Sequence, residues 1–277
     1  MKHLDEKNIT AEAAARLAQT PDPRLKEIMV ALTRHLHDFA REVRLTPAEW
    51  MAGIEFLTKV GQISDDKRQE FILLSDTLGL SALVDMIAHG QDTDGATASS
   101  LLGPFYRADA PVLKNGASIA NTPGGEPLEV RGRVVNSGRK PIANAIVDTW
   151  QVAANGLYDL QEPGRALNMR GRFRSDAEGR FNFLTAKPLS YSVPTDGPVG
   201  KLLAAEGRDS YRPAHIHFLI KAEGYETLTT ALYIAGDGYI DSDAVFGAKE
   251  ELSVDYIKDE AKGVDAIEFS FALTPSK

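Results

Sequence analysis

The hydrophobic period of this chain changes once along its length, and that change excludes most folds. Over residues 1 to about 90 apolar residues recur at helical spacing; from about residue 126 they alternate with polar ones in short runs between Gly/Pro-rich turns. EIMVALTRHLHDFAREVRL sets Ile28, Leu32, Leu36, Phe39 and Val43 on one helical stripe. TPAEW supplies Thr46 as N-cap, Pro47 at the first helical position and Glu49 to close a capping box, ahead of a helix bearing Trp50, Ile54, Leu57 and Val60. A third helix is predicted from Ser64-Asp65-Asp66 through FILLSDTLGLSALVDMI. The strands that follow are LEVRGRVV, AIVDTWQV, RGRFRS, RFNFLTA, AHIHFLI, LTTALYI and AIEFSFAL, with RGRFRS-DAEG-RFNFLTA reading as a hairpin. No helical crossover separates them, so the sheet is predicted to be antiparallel. The fold class expected is α+β, an N-terminal helical segment followed by an antiparallel β-sandwich. The division falls at residues 1–105 for helices and linker and 106–277 for the sandwich.

Composition narrows the function. The formal net charge of −8, with no long Lys/Arg cluster, argues against a nucleic-acid partner. No run of 18 apolar residues is present and the N-terminus has no apolar signal core, so no membrane insertion and a cytoplasmic location are expected. Cysteine is absent, so a metal here must be held by nitrogen and oxygen.

Two of the six histidines stand in RPAHIHF. On a strand, positions i and i+2 share a face, so His215 and His217 present neighbouring imidazoles. Read alone, the pair equally describes two polar residues on a solvated face. No acidic residue is placed to complete a two-His carboxylate site; Tyr158 in NGLYDLQEPG and Tyr191 in YSVPTDGPVG end strands. Each tyrosine alone reads as packing, but two phenolates with two imidazoles make an N2O2 set suited to Fe(III) rather than Zn(II).

GLYD, YSVPTDGPVG and RPAHIH, in that order and behind a helical prefix, resemble the intradiol ring-cleavage dioxygenases, non-haem Fe(III) enzymes that open catechols between their hydroxyls. The resemblance implies one Fe(III) per chain held by Tyr158, Tyr191, His215 and His217. It implies Tyr191 as the group that leaves the metal and takes a substrate proton, and Arg212 as a fixed positive charge beside the ring. An aromatic diol or triol and O2 would be the partners. The N-terminal helices would form a homodimer, with a phospholipid held between subunits. One departure stands out: catechol-type members carry a glutamine where this chain has Ala231, so the hydrogen bond expected from that glutamine is in question.

The pocket pattern resembles the hydroxyquinol type. Leu73 and Asp76 in LLSDTLG match residues of those enzymes, and Asp76 is suited to accept from a third hydroxyl, although a mid-helix Asp also reads as a solvated residue. Val245 in DSDAVFG fits the same type. Leu101, Leu102, Gly103, Pro104 and Phe105 in LLGPFY, with Val193, Pro194 and Arg212, complete the expected substrate wall. The implied reaction converts hydroxyquinol (1,2,4-trihydroxybenzene) to 3-hydroxy-cis,cis-muconate, the tautomer of maleylacetate. Catechol or a chloro- or methylcatechol, giving a cis,cis-muconate, is the alternative. A zinc hydrolase and a non-catalytic binding module are the rivals from other classes.

Overall fold

The computed structural model describes residues 3–65, 68–90, 95–121, 124–162, 164, 167–259 and 263–276. Five helices come first among them: α1 (Ile9–Arg16), α2 (Pro23–Glu42), α3 (Pro47–Ile63), α4 (Glu70–Thr77) and α5 (Leu80–His89). Side chains at the starts of α2 and α3 explain where those two begin. The Asp22 carboxylate accepts the N–H groups of Arg24 and Leu25 ahead of Pro23. Thr46 and Glu49 close the expected capping box: Thr46 N donates to Glu49 Oε2 at 2.8 Å and Glu49 N donates to Thr46 Oγ1 at 3.3 Å. The Thr46 N–H and, at 2.7 Å, the Thr46 hydroxyl both donate to the Glu49 carboxyl and hold it below its ordinary pKa.

Contacts divide the chain between Lys59 and Val60. In the first unit α1 is tied to α2 by Arg41, which donates to the Glu6 carbonyl and the Thr10 hydroxyl. No residue of α2 is buried, and its stripe of Ile28, Leu32, Leu36 and Phe39 is about half exposed.

In the second unit the predicted third helix is two. α3 ends before Ser64, Asp66 lies outside the described residues, and the apolar segment breaks at Gly79. Gly79 takes φ +74°, a left-handed conformation that a residue without Cβ adopts readily. No single helix among the described residues is long and apolar enough to cross a membrane.

The strands are β1 (Pro127–Asn136), β2 (Ile146–Trp150), β3 (Arg170–Arg174), β4 (Arg180–Ala186), β5 (Tyr191–Ser192), β6 (Tyr211–Arg212), β7 (His215–Lys221), β8 (Leu228–Ile234), β9 (Ser253–Val254) and β10 (Asp265–Leu273), with α6 (Pro198–Ala205) between β5 and β6. They form a sheet ordered β10-β1-β4, a second ordered β3-β2-β7-β8-β9, and the short pair β5-β6. All seven predicted strands are present, but two expectations fail. RGRFRS and RFNFLTA are not a hairpin: β3 pairs with β2 and β4 with β1, so DAEG is an arch from one sheet to the other. Phe173 before the turn and Phe181 and Phe183 after it all bury inward, which two strands of one sheet meeting at a tight turn need not require. Nor is the pairing wholly antiparallel. β10 runs parallel to β1, and β9 parallel to β8, because long connections return the chain to the same end of the sheet.

Both sheets turn an apolar face into one cluster. Leu128, Val130, Phe181, Phe183, Ile267 and Phe271 come from the three-stranded sheet; Val147, Phe173, Ile216, Phe218, Ile220 and Leu232 come from the five-stranded one. The rings of Phe218 and Phe271 meet across it at 4.8 Å. Each such side chain contributes about 1.5–3 kcal/mol by leaving water. Ile216, Phe218 and Ile220 thereby fix which way β7 faces, and the alternation sends His215 and His217 to the opposite side.

Candidate metal centre and cleft

That opposite face is not solvated. His215 and His217 are 1% and 2% exposed, beneath a second cluster of Trp150, Val152, Tyr158, Tyr191 and Leu219. Trp150, the cross-strand partner of His217 on β2, lies parallel to its ring, with centroids 4.9 Å apart. The Nε2 atoms of the two histidines stand 3.0 Å from each other. His215 Nδ1 lies 2.6 Å from the Pro213 carbonyl, so that nitrogen carries the proton and Nε2 presents a lone pair. Arg212 Nη1 donates to that same Nε2 at 3.1 Å. Burial, and then the charge of Arg212, hold His215 well below the ordinary imidazole pKa; for His217 burial again leads, followed by His215.

The two predicted tyrosines converge on this point. Tyr158 donates to the Tyr191 hydroxyl at 3.3 Å, with the rings edge to face. Burial first, then the neighbouring Tyr191, push the Tyr158 phenol well above its usual pKa. Tyr191 pairs with Arg212 across β5-β6, and its ring is 5.5 Å from that of His215. Phe105 stacks on Tyr158 at 4.3 Å. Beneath them Arg170 Nε donates to Asp159 Oδ2 at 2.7 Å, its Nη2 reaches Asp159 Oδ1, and both of its terminal nitrogens reach the Phe105 carbonyl. This buried pair binds the loop carrying Tyr158 to the loop carrying Phe105.

Arg212 is buried, and all three of its nitrogens have partners. Its Nε and Nη2 donate to Asp243 at 3.0 and 3.2 Å, and Nη2 also donates to the Tyr233 hydroxyl at 3.2 Å. Tyr233 is pushed up to about 12, chiefly by burial. Burial alone would raise the Asp243 carboxyl, but Arg212 and the N–H groups of Val245 and Gly247 outweigh it and hold the carboxyl below its ordinary value. Ala231 stands in register with His217, and His217 Nδ1 has no hydrogen-bond partner. An alanine methyl offers none.

A cleft of about 290 Å³ opens onto Tyr191 and Arg212. Its walls include Leu73, Asp76, Leu101, Gly103, Pro104, Phe105, Val193, Pro194 and Val245, all expected from the sequence. Asp76 is 7% exposed, so it is not a solvated mid-helix residue; burial raises its pKa, with a Ser81 hydrogen bond and Arg212 opposing. Leu102 differs from the expectation: it is 39% exposed and outside the wall, while its neighbour Leu101 lines it. At the mouth are residues the sequence did not single out. Arg68 bridges Glu70 and Asp196, and Glu70, 1% exposed, also accepts the N–H of Val199 at the start of α6. Charges so far apart in sequence carry no local signature. A larger groove of about 620 Å³ crosses the three-stranded sheet, but Arg131 there is already paired with Glu129, Asp259 and Glu268.

Among the described residues no three His, Asp or Glu side chains gather as a metal site, so a cation at this point would need the tyrosines as well. Two buried imidazole nitrogens facing each other at 3.0 Å, one with its lone pair fixed inward, beside two phenol oxygens, fit a hard cation that prefers oxygen and nitrogen.

The chain is similar to known proteins over nearly its whole length. Residues 101–275 match the family model described as "Dioxygenase", and residues 22–96 match "Catechol dioxygenase N terminus". The chain is 50% identical to 6-chlorohydroxyquinol 1,2-dioxygenase of Cupriavidus pinatubonensis, over 100% of both chains. It superposes on hydroxyquinol 1,2-dioxygenase of Pseudomonas putida with a TM-score of 0.92 at 45% identity, covering 98% of this chain and 99% of that one. Catechol 1,2-dioxygenase of Acinetobacter radioresistens is more distant, with a TM-score of 0.87 at 27% identity, covering 100% of this chain and 95% of that one.

Proposed function

The chain belongs to the intradiol ring-cleavage dioxygenases, and on that premise we propose that it opens hydroxyquinol between its 1- and 2-hydroxyls to give 3-hydroxy-cis,cis-muconate. The observation that carries the substrate is Asp76, a buried carboxylate in a wall otherwise built largely from Leu73, Leu101, Pro104, Phe105, Val193 and Val245. A third ring hydroxyl gives that carboxylate a donor; catechol does not. The 50% identity to a 6-chlorohydroxyquinol enzyme supports the same reading and adds a chlorinated hydroxyquinol as a second candidate.

Tyr158, Tyr191, His215 and His217 would hold one Fe(III) per chain. When bound, the ferric ion supplies Lewis acidity and a template that draws both substrate oxygens and makes the ring reactive toward O2. The chain's own residues do the rest. Tyr191, open to the cleft, would be a phenolate while it holds the cation, and that oxygen would take a proton from the substrate. Arg212, its position fixed by Asp243 and Tyr233, sets a positive charge where the ring gains electron density. The apolar walls exclude water and keep the ring in plane.

The two sheets packed on one apolar cluster are read as the catalytic β-sandwich over residues 106–277, and residues 1–105 as the helical domain and linker. The half-exposed stripe of α2 supports a homodimer through the first unit; a lipid between the copies and a cytoplasmic location rest on the sequence and its family resemblance alone. Light scattering checks the homodimer, and a monomer at micromolar concentration refutes it.

Oxygen uptake by the iron-loaded enzyme on hydroxyquinol, 6-chlorohydroxyquinol and catechol tests the substrate. Preference for catechol sinks the reading. Metal analysis giving no iron, or a colourless protein active without oxygen, sinks the metal assignment.

A further inference from the structure

Asp243 does more than hold Arg212 in place: its carboxylate takes five donors. Oδ1 accepts Arg212 Nε at 3.0 Å and the Val245 N–H at 3.3 Å. Oδ2 accepts Arg212 Nη2 at 3.2 Å and the N–H groups of Gly247 and Ala248 at 2.9 and 3.0 Å. A carboxylate offers about four lone-pair sites, so this one is saturated and has little freedom to turn. It is 6% exposed and Arg212 is 4% exposed. In the low dielectric around them, either charge without the other is unfavourable.

The loop that wraps this carboxylate carries the wall of the cleft. Val245 is buried against Val193 and Leu203, with Leu73 and Leu101 packed beside them. The next residue, Phe246, is held at φ +58°, a left-handed conformation a phenylalanine rarely takes, although its side chain is 49% exposed. Its N–H is tied to the Asp243 carbonyl at 3.1 Å. Gly247 completes the wrap: a Cβ there would meet Arg212 Nη2 and the Tyr233 hydroxyl, each at 2.8 Å. Only a residue lacking that atom lets the backbone close on the guanidinium. The same aspartate therefore fixes the charge beside the reacting ring and the apolar wall that grips it.

We propose that Asp243 is a positioning residue that couples Arg212 to the 243–248 loop and thereby sets the preference among diol substrates. The inference rests on the cleft being the diol site. Replacing Asp243 by Asn keeps the shape, removes the charge and turns one acceptor into an NH2 facing backbone donors. Replacing it by Glu keeps the charge and displaces it by one methylene.

The test is steady-state oxygen uptake by iron-loaded Asp243→Asn and Asp243→Glu on hydroxyquinol and catechol, with iron content and thermal midpoint measured alongside. A folded, iron-loaded variant should lose about tenfold or more in kcat through a misaimed Arg212. The ratio of kcat/KM for the two substrates should move by about fivefold or more as Val245 shifts. An unchanged ratio, or activity that falls only with the folded fraction, overturns the proposal. If Asp243→Asn does not fold, Asp243→Glu decides. If neither folds, the residue serves folding alone and the proposal fails. The parent enzyme's own preference tests the substrate reading separately, because the ratio in each variant is compared with the parent whichever substrate the parent favours.

Discussion

Replacing Asp76 with Asn or Ala should separate stability from selectivity. The carboxyl is 7% exposed, and burial raises its pKa against the opposing pull of Ser81 and Arg212. A carboxyl whose folded pKa lies above the unfolded 3.8 binds protons more tightly in the native state. Its contribution to stability is therefore greatest below the unfolded pKa and declines as pH rises from there to the folded pKa. At neutral pH the ionised group is a burden, so Asp76→Asn should unfold at the same or a higher temperature than the parent, with an advantage that disappears in acid. The cost falls on the substrate. A hydroxyl donating to a carboxylate is worth about 1.5–3 kcal/mol, or roughly 10- to 160-fold in kcat/KM. Asp76→Ala should lose that factor on hydroxyquinol and little on catechol; Asn, whose carbonyl still accepts, should lose less. Oxygen uptake on both substrates, with calorimetry across pH, measures the two effects. An equal loss on both substrates, or an Asn variant less stable than the parent at neutral pH, refutes the reasoning.

Three further outcomes follow from the packing. Arg170→Met leaves the buried Asp159 carboxylate with the longer contact to Arg107 at 3.5 Å and should cost about 3 kcal/mol in urea unfolding; adding Asp159→Leu should recover part of it. Gly132→Ala places a Cβ 2.0 Å from the ring of Phe181 and should cost about 1–3 kcal/mol by the same measurement, since that buried ring has little space to retreat. Tyr158→Phe removes one of the four proposed ligands: iron affinity in a chelator competition should drop by more than about tenfold, and the visible absorption of the loaded protein should weaken or shift. A variant that keeps the parent's colour and iron would remove Tyr158 from the ligand set.

The parts of the molecule legible in the sequence are those decided by local periodicity and by spacing. The capping box at Thr46 and Glu49, the seven longer strands, and the facing of His215 and His217 each depend on residues a few positions apart. The convergence of Tyr158 and Tyr191 on those histidines was readable only through a family resemblance, since nothing in NGLYD by itself points to β7. What stayed hidden is tertiary. The arch at DAEG looks like a hairpin because both carry the same turn residues, and only the choice of partner strand tells them apart. Gly79 breaks a segment that reads as continuous helix, because an isolated glycine is tolerated in many helices. Asp243 and the Arg68–Glu70–Asp196 cluster acquire meaning from residues 31 to 128 positions away.

The parallel pairing of β10 with β1 also governs when the molecule can be completed. β1 is the middle strand of its sheet, with β4 on one side and β10 on the other. During synthesis β4 arrives within about fifty residues, but β10 follows only after β9 has been made. Until residues 265–273 emerge, one whole edge of β1 offers unpaired N–H and C=O groups, and the core lacks Ile267, Phe271 and Leu273. Closing so long a loop makes this pairing a natural candidate for the slow step of folding, and it leaves the nascent chain open to edge-to-edge association in the interval. The charged outward residues of β1, Glu129, Arg131 and Arg133, then act as gatekeepers over a strand that waits longest for its neighbour.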